Sequence, residues 1–390
     1  MNFRLIAICS VMTIFGAVLP VCAQLKPKTT SQVISVRVRE LNGSSGGSAT
    51  TVIRQALANS PYLQLLGQDD PDPASGYFSV IGTSSGGAIS GEVIAPGKTT
   101  LLKDSYDSPE LIDNGNQFAD DIVATITGRA GIATSTICFV SDVSGIGQLY
   151  VCGYDGGNVR PVTSGDSPAL SPALAPSGLA LAYTSYQKGY PDIFYLNLLS
   201  GNQHQVAGAP GTCGGTAVSP DGTKVALSMS FTGNPEVFVV DVAGGQPSQI
   251  TRTRGMESSP CWSPDGKWLA VAYDEGRGAK LRMLSIDGTT IRDLDTGAAS
   301  ATAPDWSADG VRIAFTMLTG GKTAVAIHDI QSSKTKVIAD GDAHSPAWAP
   351  SGDQLVFSRG TSLCVYHFAL AKETVIVDNL GQISEPDWSR

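Results

Sequence analysis

The chain is poor in charged residues, in histidine and in long apolar runs, and these shortages exclude several classes of protein. Charged residues make up 16% of its 390 residues, against about 25% in a typical globular chain. Because hydrophobic residues reach 42%, this low charge does not indicate disorder. A coiled coil is excluded as well, since its composition is about half Ala, Glu, Lys, Leu and Arg. The formal net charge of −9 repels phosphate backbones, so we expect no nucleic-acid partner.

One apolar run stands at the start of the chain. Arg4 precedes it, Pro20 interrupts it, and a cleavage site follows Ala23. The run is shorter than the ~20 residues that a spanning helix needs, so it predicts a cleaved export signal over residues 1–23, with an uncleaved anchor as the alternative. No later segment resembles a membrane span. We therefore expect an exported mature chain, residues 24–390, with no transmembrane segment.

The cysteines that follow residue 23 show no metal-binding pattern. There is no C-x-x-C and no Cys/His set with zinc spacing, so we expect no metal site and no cofactor. Cys138 and Cys152 lie almost symmetrically about a turn at 144–147, which would let them face each other across a hairpin. This symmetry makes the pair a disulfide candidate, and two buried apolar thiols are the alternative.

A five-residue motif recurs through the second two thirds of the chain. Each copy joins an apolar residue to a short turn sequence, and the copies start 44, 44, 44 and 42 residues apart. The copies are Leu174-Ala-Pro-Ser-Gly178, Val218-Ser-Pro-Asp-Gly222, Trp262-Ser-Pro-Asp-Gly266, Trp306-Ser-Ala-Asp-Gly310 and Trp348-Ala-Pro-Ser-Gly352. A last partial copy, Pro386-Asp-Trp-Ser-Arg390, ends the sequence.

The chemistry of this motif predicts a β-strand followed by a turn. Proline presets the second turn position, the Asp side chain bonds back to the backbone, and Gly accepts the left-handed conformation. Short alternating apolar segments follow each turn, as at 224–227 and 236–241. Four short strands in about 44 residues make a propeller blade. We expect the tryptophans to pack between blades, because they recur once per repeat; a sugar-stacking row is the alternative.

The two ends of the repeat region predict the number of blades. Three strands without a motif strand precede the five repeats, at 137–140, 148–151 and 160–163. The partial copy at 385–389 supplies one motif strand alone. Three strands and one strand complete a sixth blade, which closes the ring and leaves no exposed sheet edge. The sequence therefore predicts a mainly β protein, with a six-bladed propeller over residues 134–390 that is closed by the chain end.

Residues 24–133 lack the repeat and predict a small α/β domain. Alternating apolar residues predict strands at 33–38, 77–81, 88–94 and 99–104, whereas helical spacing appears at 51–58 and 117–127. The Gly/Ser stretch at 41–48 is predicted to be a mobile loop.

Two G-x-S-x-G matches, 43–47 and 82–86, are not predicted to open a helix, and all four histidines lie in the propeller. A serine hydrolase is therefore rejected.

The repeat, together with the segment that joins the two domains, resembles the TolB family, the periplasmic propellers of the Tol-Pal system. Phe118-Ala-Asp120, Thr127-Gly128, Gly131 and 137–140 are similar to its interdomain signature, and 381–389 to its closing segment. The resemblance implies a non-enzymatic periplasmic scaffold that binds the peptidoglycan-associated lipoprotein (Pal) through the propeller and supports outer-membrane integrity during cell division. It also implies contact with TolA through the mature amino-terminus.

The resemblance further implies that loops leading into the motif strands line the Pal-binding mouth. Thr212 occupies the position of a family histidine. The predicted partner-binding residues are Thr212, Gly214, Gly215, Glu257, Ser258, Thr302 and His344. For His344, local bonding is the alternative. The acidic residues Glu257, Asp305, Glu385 and Asp387 are interpreted as solvated rim carboxylates, with a channel cation as the alternative.

Two other classes of function stay open at this point. A secreted propeller that binds a glycan or surface polymer would carry exposed aromatic residues in the mouth. A propeller enzyme would bring acids together around a bound metal in the channel.

Overall fold

The computed structural model describes residues 33–389. The predicted export signal and the segment proposed to contact TolA lie outside the described residues. In the described part, six four-stranded sheets and one five-stranded sheet account for the strands. A mainly β fold with a small α/β domain ahead of a six-bladed propeller was predicted, and this prediction is confirmed.

The α/β domain has a five-stranded sheet in the order β2-β1-β3-β4-β5. Strand β1 is parallel to β2 and β3, and the other pairs are antiparallel. Both helices pack against this sheet and against each other. The elements are β1 Ile34–Val38, α1 Gly46–Ala58, β2 Leu63–Leu65, β3 Phe78–Ser85, β4 Ala88–Ile94, β5 Thr100–Tyr106 and α2 Leu111–Thr127.

Helix α1 begins earlier than predicted, inside the stretch predicted to be a mobile loop. Gly46 is buried and starts the helix, and the backbone N–H of Leu41 donates to Thr50 Oγ1 at 2.9 Å. Asn42 forms a bridge with Thr83 of β3. These contacts fix the segment, so the mobile-loop prediction is wrong. The prediction that the G-x-S-x-G match at 43–47 does not open a helix is also wrong, because α1 starts at Gly46 within it. Ser45, the central serine of the match, occupies the N-cap position and makes no side-chain capping bond.

Helix α2 links the sheet to the propeller. A Cβ on Gly91 of β4 would lie 2.1 Å from the ring of Phe118, so this glycine allows the ring to pack flat on the sheet. Asp120 accepts hydrogen bonds from the backbone N–H groups of Ala133 (2.7 Å) and Thr134 (2.9 Å). This carboxylate ties the connection to the helix. The domain boundary at 133/134 falls in that connection and stays a prediction.

Each propeller blade is a four-stranded antiparallel sheet, numbered here as blade 1 to blade 6. Blade 1 is β9 Ala169–Leu174, β10 Ala180–Ser185, β11 Asp192–Asn197 and β12 Gln203–Ala207. Blade 2 is β13 Cys213–Val218, β14 Lys224–Met229, β15 Glu236–Asp241 and β16 Ser248–Gln249. Blade 3 is β17 Met256–Trp262, β18 Trp268–Asp274, β19 Lys280–Ser285 and β20 Ile291–Leu294.

The remaining blades complete the ring. Blade 4 is β21 Ser300–Trp306, β22 Arg312–Thr319, β23 Lys322–Asp329 and β24 Lys334–Ala339. Blade 5 is β25 His344–Trp348, β26 Gln354–Arg359, β27 Ser362–His367 and β28 Lys372–Val377. Blade 6 combines β29 Ile383–Trp388 with β6 Thr136–Ser141, β7 Gln148–Gly153 and β8 Arg160–Pro161.

Blade 6 closes the ring in the predicted way. Strand β29 pairs with β6 in antiparallel register, with Trp388 opposite Ile137. The indole N–H of Trp388 donates to Ser135 Oγ at 2.7 Å, and the N–H of Thr136 donates to Ser389 Oγ at 2.9 Å. The inner strands β9, β13, β17, β21, β25 and β29 contact one another in sequence around the axis.

The motif turns have the predicted geometry. In blade 2, Asp221 Oδ1 accepts from Ser219 Oγ (2.6 Å) and from the N–H of Thr223 (3.0 Å), while Gly222 has φ 72°. These bonds lower the pKa of Asp221 to about 2. Asp265 makes the corresponding bond to Ser263 Oγ in blade 3. Blade 4 repeats the bond between Ser307 and Asp309, so blades 2, 3 and 4 each form this turn from their own residues.

The motif tryptophans pack between blades, as predicted. The four are at most 4% exposed, and each belongs to an apolar cluster with residues of the preceding blade. The indole N–H of Trp262 also donates to the carbonyl of Ala217 in blade 2, at 3.1 Å. Burial leaves no ring face free for a sugar, so the stacking alternative is wrong for these residues.

The disulfide prediction for Cys138 and Cys152 is wrong. Cys138 pairs with Val151, and Cys152 pairs with Ile137, so the two cysteines are offset by one residue and point to opposite faces of the sheet. Both are free and buried. Burial raises the pKa of both thiols, to about 12 for Cys152. The alternative of two buried apolar thiols describes the structure.

Candidate functional site

The end of the ring where the inner strands begin is called the mouth here. It consists of the loops that lead into those strands and of the hairpin turns that join the second and third strands of each blade. The incoming loops are 162–168, 208–212, 250–255, 295–299, 340–343 and 378–382, and the hairpin turns are 142–147, 186–191, 230–235, 275–279, 320–321 and 360–361. The motif turns lie at the other end of the inner strands, called the turn end.

The α/β domain contacts the propeller at the turn end and leaves the mouth open. Asn59 Nδ2 donates to the hydroxyl of Tyr154, in the turn after β7, at 3.1 Å. Tyr62 and Asp353, the residue after the motif glycine of blade 5, line one crevice, and burial raises the pKa of this tyrosine to about 12. Both propeller residues lie on turns away from the mouth. The loops of the mouth are therefore accessible to a partner from the opposite side.

Every inner strand bends at an equivalent place, two to four residues after its incoming loop. The pairing register shifts there in all six blades, and the residue at the bulge has a left-handed backbone with φ from 46° to 62°. These residues are Ser171, Gly215, Ser259, Ala303, Ser345 and Glu385. They line the upper part of an axial channel of about 290 Å³. Gly215 is the one position where glycine removes the strain of a positive φ.

The acidic residues beside the channel bond to neighbouring blades. Glu385 Oε2 accepts from the N–H of Ser171 (2.6 Å), and Asp387 Oδ2 from the N–H of Leu174 (2.6 Å). Asp305 Oδ2 accepts from the N–H of Trp348 at 2.7 Å. Burial raises the pKa of Glu385. The interpretation as solvated rim carboxylates is therefore wrong for these residues, which bond to the backbone of the next blade.

Four of the predicted partner-binding residues occupy one equivalent position in their blades. Gly214, Ser258, Thr302 and His344 each immediately precede the residue at the bulge. Ser258 and Thr302 are exposed, whereas Gly214 and His344 are half-buried. The ring therefore brings these residues around a single rim, with Gly215 just below it.

Thr212 and His344 have defined local bonds. Thr212 is exposed in the loop before β13, and its N–H donates to Ser230 Oγ at 2.8 Å. The Nε2 atom of His344 lies 3.1 Å from Thr323 Oγ1 of blade 4. The local bonding considered for His344 is therefore present, and its half-buried ring still reaches the rim.

Glu257 does not lie on the surface. It is 0% exposed, so its side chain cannot contact a partner directly, and its prediction as a partner-binding residue is wrong. Oε1 accepts from Thr253 Oγ1 at 2.7 Å and lies 3.8 Å from Arg282 Nη1, while Oε2 is buried and has no hydrogen-bond partner within the described residues. Burial, followed by the nearby carboxyl of Glu236, raises the pKa of Glu257 to about 7.

Glu236 and Glu257 form a buried carboxyl pair that holds the 250–255 loop. Glu236 is 2% exposed. It accepts from Thr251 Oγ1 (2.5 Å) and from the N–H of Thr253 (2.8 Å). Both carboxyls therefore bond the loop from beneath. Sequence reasoning missed Glu236, because two glutamates at the starts of strands in different blades share no sequence pattern.

Several apolar side chains of the mouth are exposed. Tyr190 is 64% exposed in the hairpin turn of blade 1, and Phe231 is 50% exposed in that of blade 2. Met256, the first residue of β17, is 47% exposed. These side chains lie on adjacent blades, so they form an arc with apolar character on one side of the mouth.

No helix within residues 33–389 is both long and apolar enough to cross a membrane. No three His, Cys, Asp or Glu side chains in the same range come together as ligands for a metal ion.

Together the closed ring and the mouth define a six-bladed propeller with one end that the α/β domain does not cover. The sequence profile of the TolB beta propeller domain matches residues 123–390, which is more than half of the chain. The chain therefore belongs to the TolB beta-propeller family, and the family resemblance of the sequence is confirmed.

Curated relatives match over shorter segments. A Protein TolB homolog of Chlorobium luteolum is 36% identical over 104 residues, which cover 26% of this chain and 24% of the relative. The Tol-Pal system protein TolB of Desulfosudis oleivorans is 40% identical over 82 residues, 21% of this chain and 19% of the relative. The matched segments thus span a quarter or less of these two relatives.

The solved structures show the fold over a longer range. The crystal structure of TolB from Acinetobacter baumannii superposes with a TM-score of 0.75 at 22% identity, covering 92% of this chain and 97% of that chain. A putative TolB from Agrobacterium tumefaciens gives a TM-score of 0.52 at 20% identity over 64% of this chain and 90% of that chain. At these identities the likeness concerns the fold.

Proposed function

We propose that this chain is a non-enzymatic periplasmic scaffold of the Tol-Pal system that binds the peptidoglycan-associated lipoprotein, Pal, through the mouth. Binding would support outer-membrane integrity and constriction during cell division. The amino-terminal segment, residues 24–32, is the proposed contact for TolA. Membership of the TolB propeller family supports the system, and the curated relatives include proteins named for it.

The observation that carries this proposal is the open mouth. The α/β domain bonds the propeller at the turn end, so a folded partner can approach the opposite end without displacing it. The rim there carries Thr212, Ser258 and Thr302, which are exposed. Because these rim side chains are small, a partner could insert its own larger side chains into the mouth and accept or donate hydrogen bonds at the hydroxyl groups.

Calorimetry with the organism's own Pal periplasmic domain tests the proposal. We expect residues 24–390 to bind Pal, and we expect Thr212→Arg and Ser258→Arg each to abolish binding because a long charged side chain would fill the rim. Gln331→Arg is the matched control. It adds the same charge to an exposed turn between β23 and β24, at the turn end, and binding should be unchanged.

Melting curves of all four proteins accompany the titrations, so that lost binding is separated from lost folding. No binding by the unsubstituted protein would reject Pal as the partner. Binding that survives both rim substitutions would place the contact elsewhere on the propeller.

A second candidate function is binding of a glycan or surface polymer. The exposed aromatic side chains Tyr190 and Phe231 favour it, because aromatic faces stack on sugar rings. Tyr190→Ala and Phe231→Ala would then abolish binding of purified peptidoglycan fragments. Retention of fragments by the unsubstituted protein, together with no Pal binding, would favour this function over the scaffold.

A further inference from the structure

The charged residues of the mouth are separated into two sectors. One sector belongs to blade 3. Arg252 and Arg254 lie in its incoming loop, Arg277 lies in its hairpin turn, and Lys280 begins β19; all four are exposed. None of the ion pairs found within residues 33–389 uses any of these four side chains. They are unpaired cations in a chain whose formal net charge is −9.

Three carboxylates lie in or beside this sector, and all are engaged locally. Asp274 Oδ1 accepts from the N–H groups of Gly276 (2.7 Å) and Arg277 (3.1 Å). Glu275 accepts from the hydroxyl of Tyr273, and Asp295, in the loop that leaves blade 3, accepts from the N–H of Gly297 at 3.2 Å. The four unpaired cations therefore outnumber three carboxylates that bond their own loops, and the sector is positive. Arg254 and Met256 border one depression together with the hairpin turn of blade 3.

The second sector is acidic and is centred on blade 6: it comprises the hairpin turn of blade 6 and the loops that lead into blades 5, 6 and 1. Its members are exposed aspartates in the loops of the mouth, and none forms an ion pair within the described range. They are Asp142, Asp166, Asp340, Asp342 and Asp378. Asp378 accepts from Ser362 Oγ (3.0 Å) and from the N–H of Asn379 (2.8 Å); bonds of this kind favour the charged form.

The order of the blades places the two sectors opposite each other. The inner strands contact in the ring order β29, β9, β13, β17, β21, β25 and back to β29. Strands β17 and β29 are thus three blades apart in either direction. Lys188 and Lys322 are the exposed cations in the hairpins of the intervening blades 1 and 4. The mouth therefore has a positive side at blade 3 and a negative side at blade 6.

The positive sector is also bonded from beneath and flanked by exposed apolar side chains. Its incoming loop is bonded from beneath by Glu236 and Glu257, which fixes the backbone that carries Arg252 and Arg254. Met256 and Phe231 are exposed beside it. Fixed cations around apolar side chains recognise a protein surface with a carboxylate cluster and an apolar anchor.

We propose that the mouth orients its partner by charge: the partner's docking face presents an acidic, partly apolar cluster to blade 3 and basic groups to blade 6. This inference rests on the proposed function, because it specifies the chemistry of the protein bound at the same mouth. Opposite charges on opposite sides of the ring favour one orientation of the partner about the propeller axis and disfavour the orientation rotated by half a turn. They also accelerate encounter at low ionic strength.

Two charge-reversed variants test the inference with the Pal periplasmic domain as the probe. The first is Arg252→Glu with Arg254→Glu, and the second is Asp166→Lys with Asp340→Lys. All four side chains are exposed and have no side-chain bond in the described structure, so we expect both variants to fold. Each should weaken binding by about tenfold or more, mainly through slower association, with a smaller effect at high salt.

Matched controls carry the same change of net charge at a distance from the mouth. Lys334→Glu with Lys336→Glu alters exposed residues of the outermost strand β24. Asp69→Lys with Asp107→Lys alters exposed residues of the α/β domain. We expect both controls to bind within about twofold of the unsubstituted protein.

The outcomes separate this inference from the function on which it rests. If the unsubstituted protein does not bind Pal, the proposed function fails and the inference falls with it. If it binds but the sector variants bind equally well, or no worse than their matched controls, the inference alone is overturned. A gain of affinity in the Asp166/Asp340 variant would also overturn it, because it would show a partner face of one sign.

Discussion

The two ends of the inner strands differ in how far their residues repeat from blade to blade. At the turn end, each strand finishes in an apolar residue that is buried or, for Val218, half-buried, and the same Ser–Asp bond recurs in the motif turns of blades 2, 3 and 4. At the mouth, the residue before the bulge is Leu170, Gly214, Ser258, Thr302, His344 and Ser384 in turn, so no residue type is common to the blades. The repeated end builds the ring, and the varied end gives each blade its own surface.

This difference explains why the fold is easier to predict than the site. Each blade packs against the next in the same way, so the residues at the turn end that make these contacts repeat along the sequence. The proposed docking surface would need different chemistry around one rim, and the residues before the bulge do differ between blades. The predictions below test this division, from the largest expected effect to the smallest.

Removal of the closing strand should have the largest effect. Deleting residues 383–390 removes β29, leaves β6 without its neighbour and exposes the edge of β6. We expect a loss of several kcal/mol, comparable to the whole margin of a domain at about 5–15 kcal/mol. Thermal unfolding followed by circular dichroism measures it. Unchanged melting would contradict ring closure by blade 6.

Loss of one buried tryptophan should cost less, and it tests the turn end. Trp348 is 1% exposed, lies 5.3 Å from Phe368 between ring centroids, and packs against blade 4. Trp348→Ala should destabilise the protein by about 3–5 kcal/mol through lost burial and a cavity. Trp268→Ala is the control, because Trp268 is only half-buried and outside the motif. Urea unfolding compares the two, and equal costs would argue against a special role for the motif position.

The motif and the closure could be predicted because they depend on residues close in sequence. The bulge could not, because a residue before proline normally prefers extended backbone, whereas Ser259 before Pro260 has φ 50°. Neighbouring blades impose that conformation. The Glu236–Glu257 pair was equally hidden, since it forms only when two blades meet.

Cys138 and Cys152 show a different kind of error. The two cysteines do lie on the two strands of one hairpin. The register of β6 and β7, however, places Cys138 opposite Val151, one residue away from Cys152. A shift of one residue reverses the face of a strand. Spacing alone could not detect this shift.

The buried carboxyl pair should make the mouth of blade 3 sensitive to pH. A carboxyl whose pKa is raised by folding stabilises the folded state below its unfolded pKa, and that stability is lost as the pH rises through its folded pKa. For Glu257 the loss therefore falls between about 4.5 and about 7. We expect Glu257→Gln to remove this component, on the order of 1–2 kcal/mol.

Urea unfolding at several pH values measures this component. Glu275→Gln, which changes an exposed carboxyl of the same blade, should leave the pH dependence as it is. An identical pH profile for Glu257→Gln and the unsubstituted protein would show that Glu257 ionises normally.

The smallest effect on stability should come from the rim itself. Thr302 is exposed and precedes the bulge of blade 4, so Thr302→Ala should change the free energy of unfolding by no more than about 0.5 kcal/mol. A large loss would mean that the rim also carries the fold. Ala301→Ser, at the neighbouring position that is 1% exposed, is expected to be the more destabilising change.

Closure through blade 6 also has a consequence for the order of folding. Thr136 and Ser389, which share a hydrogen bond, are separated by 253 residues, whereas the hairpins of the other five blades join strands only a few residues apart. Contacts this distant carry a large entropic cost of loop closure and form slowly. The intervening blades can therefore form as local units during synthesis. The edge of β6 that pairs with β29 stays unpaired until β29 has been synthesised. Such an edge is a site for pairing with other chains, so this waiting period is when the protein is most exposed to misassembly.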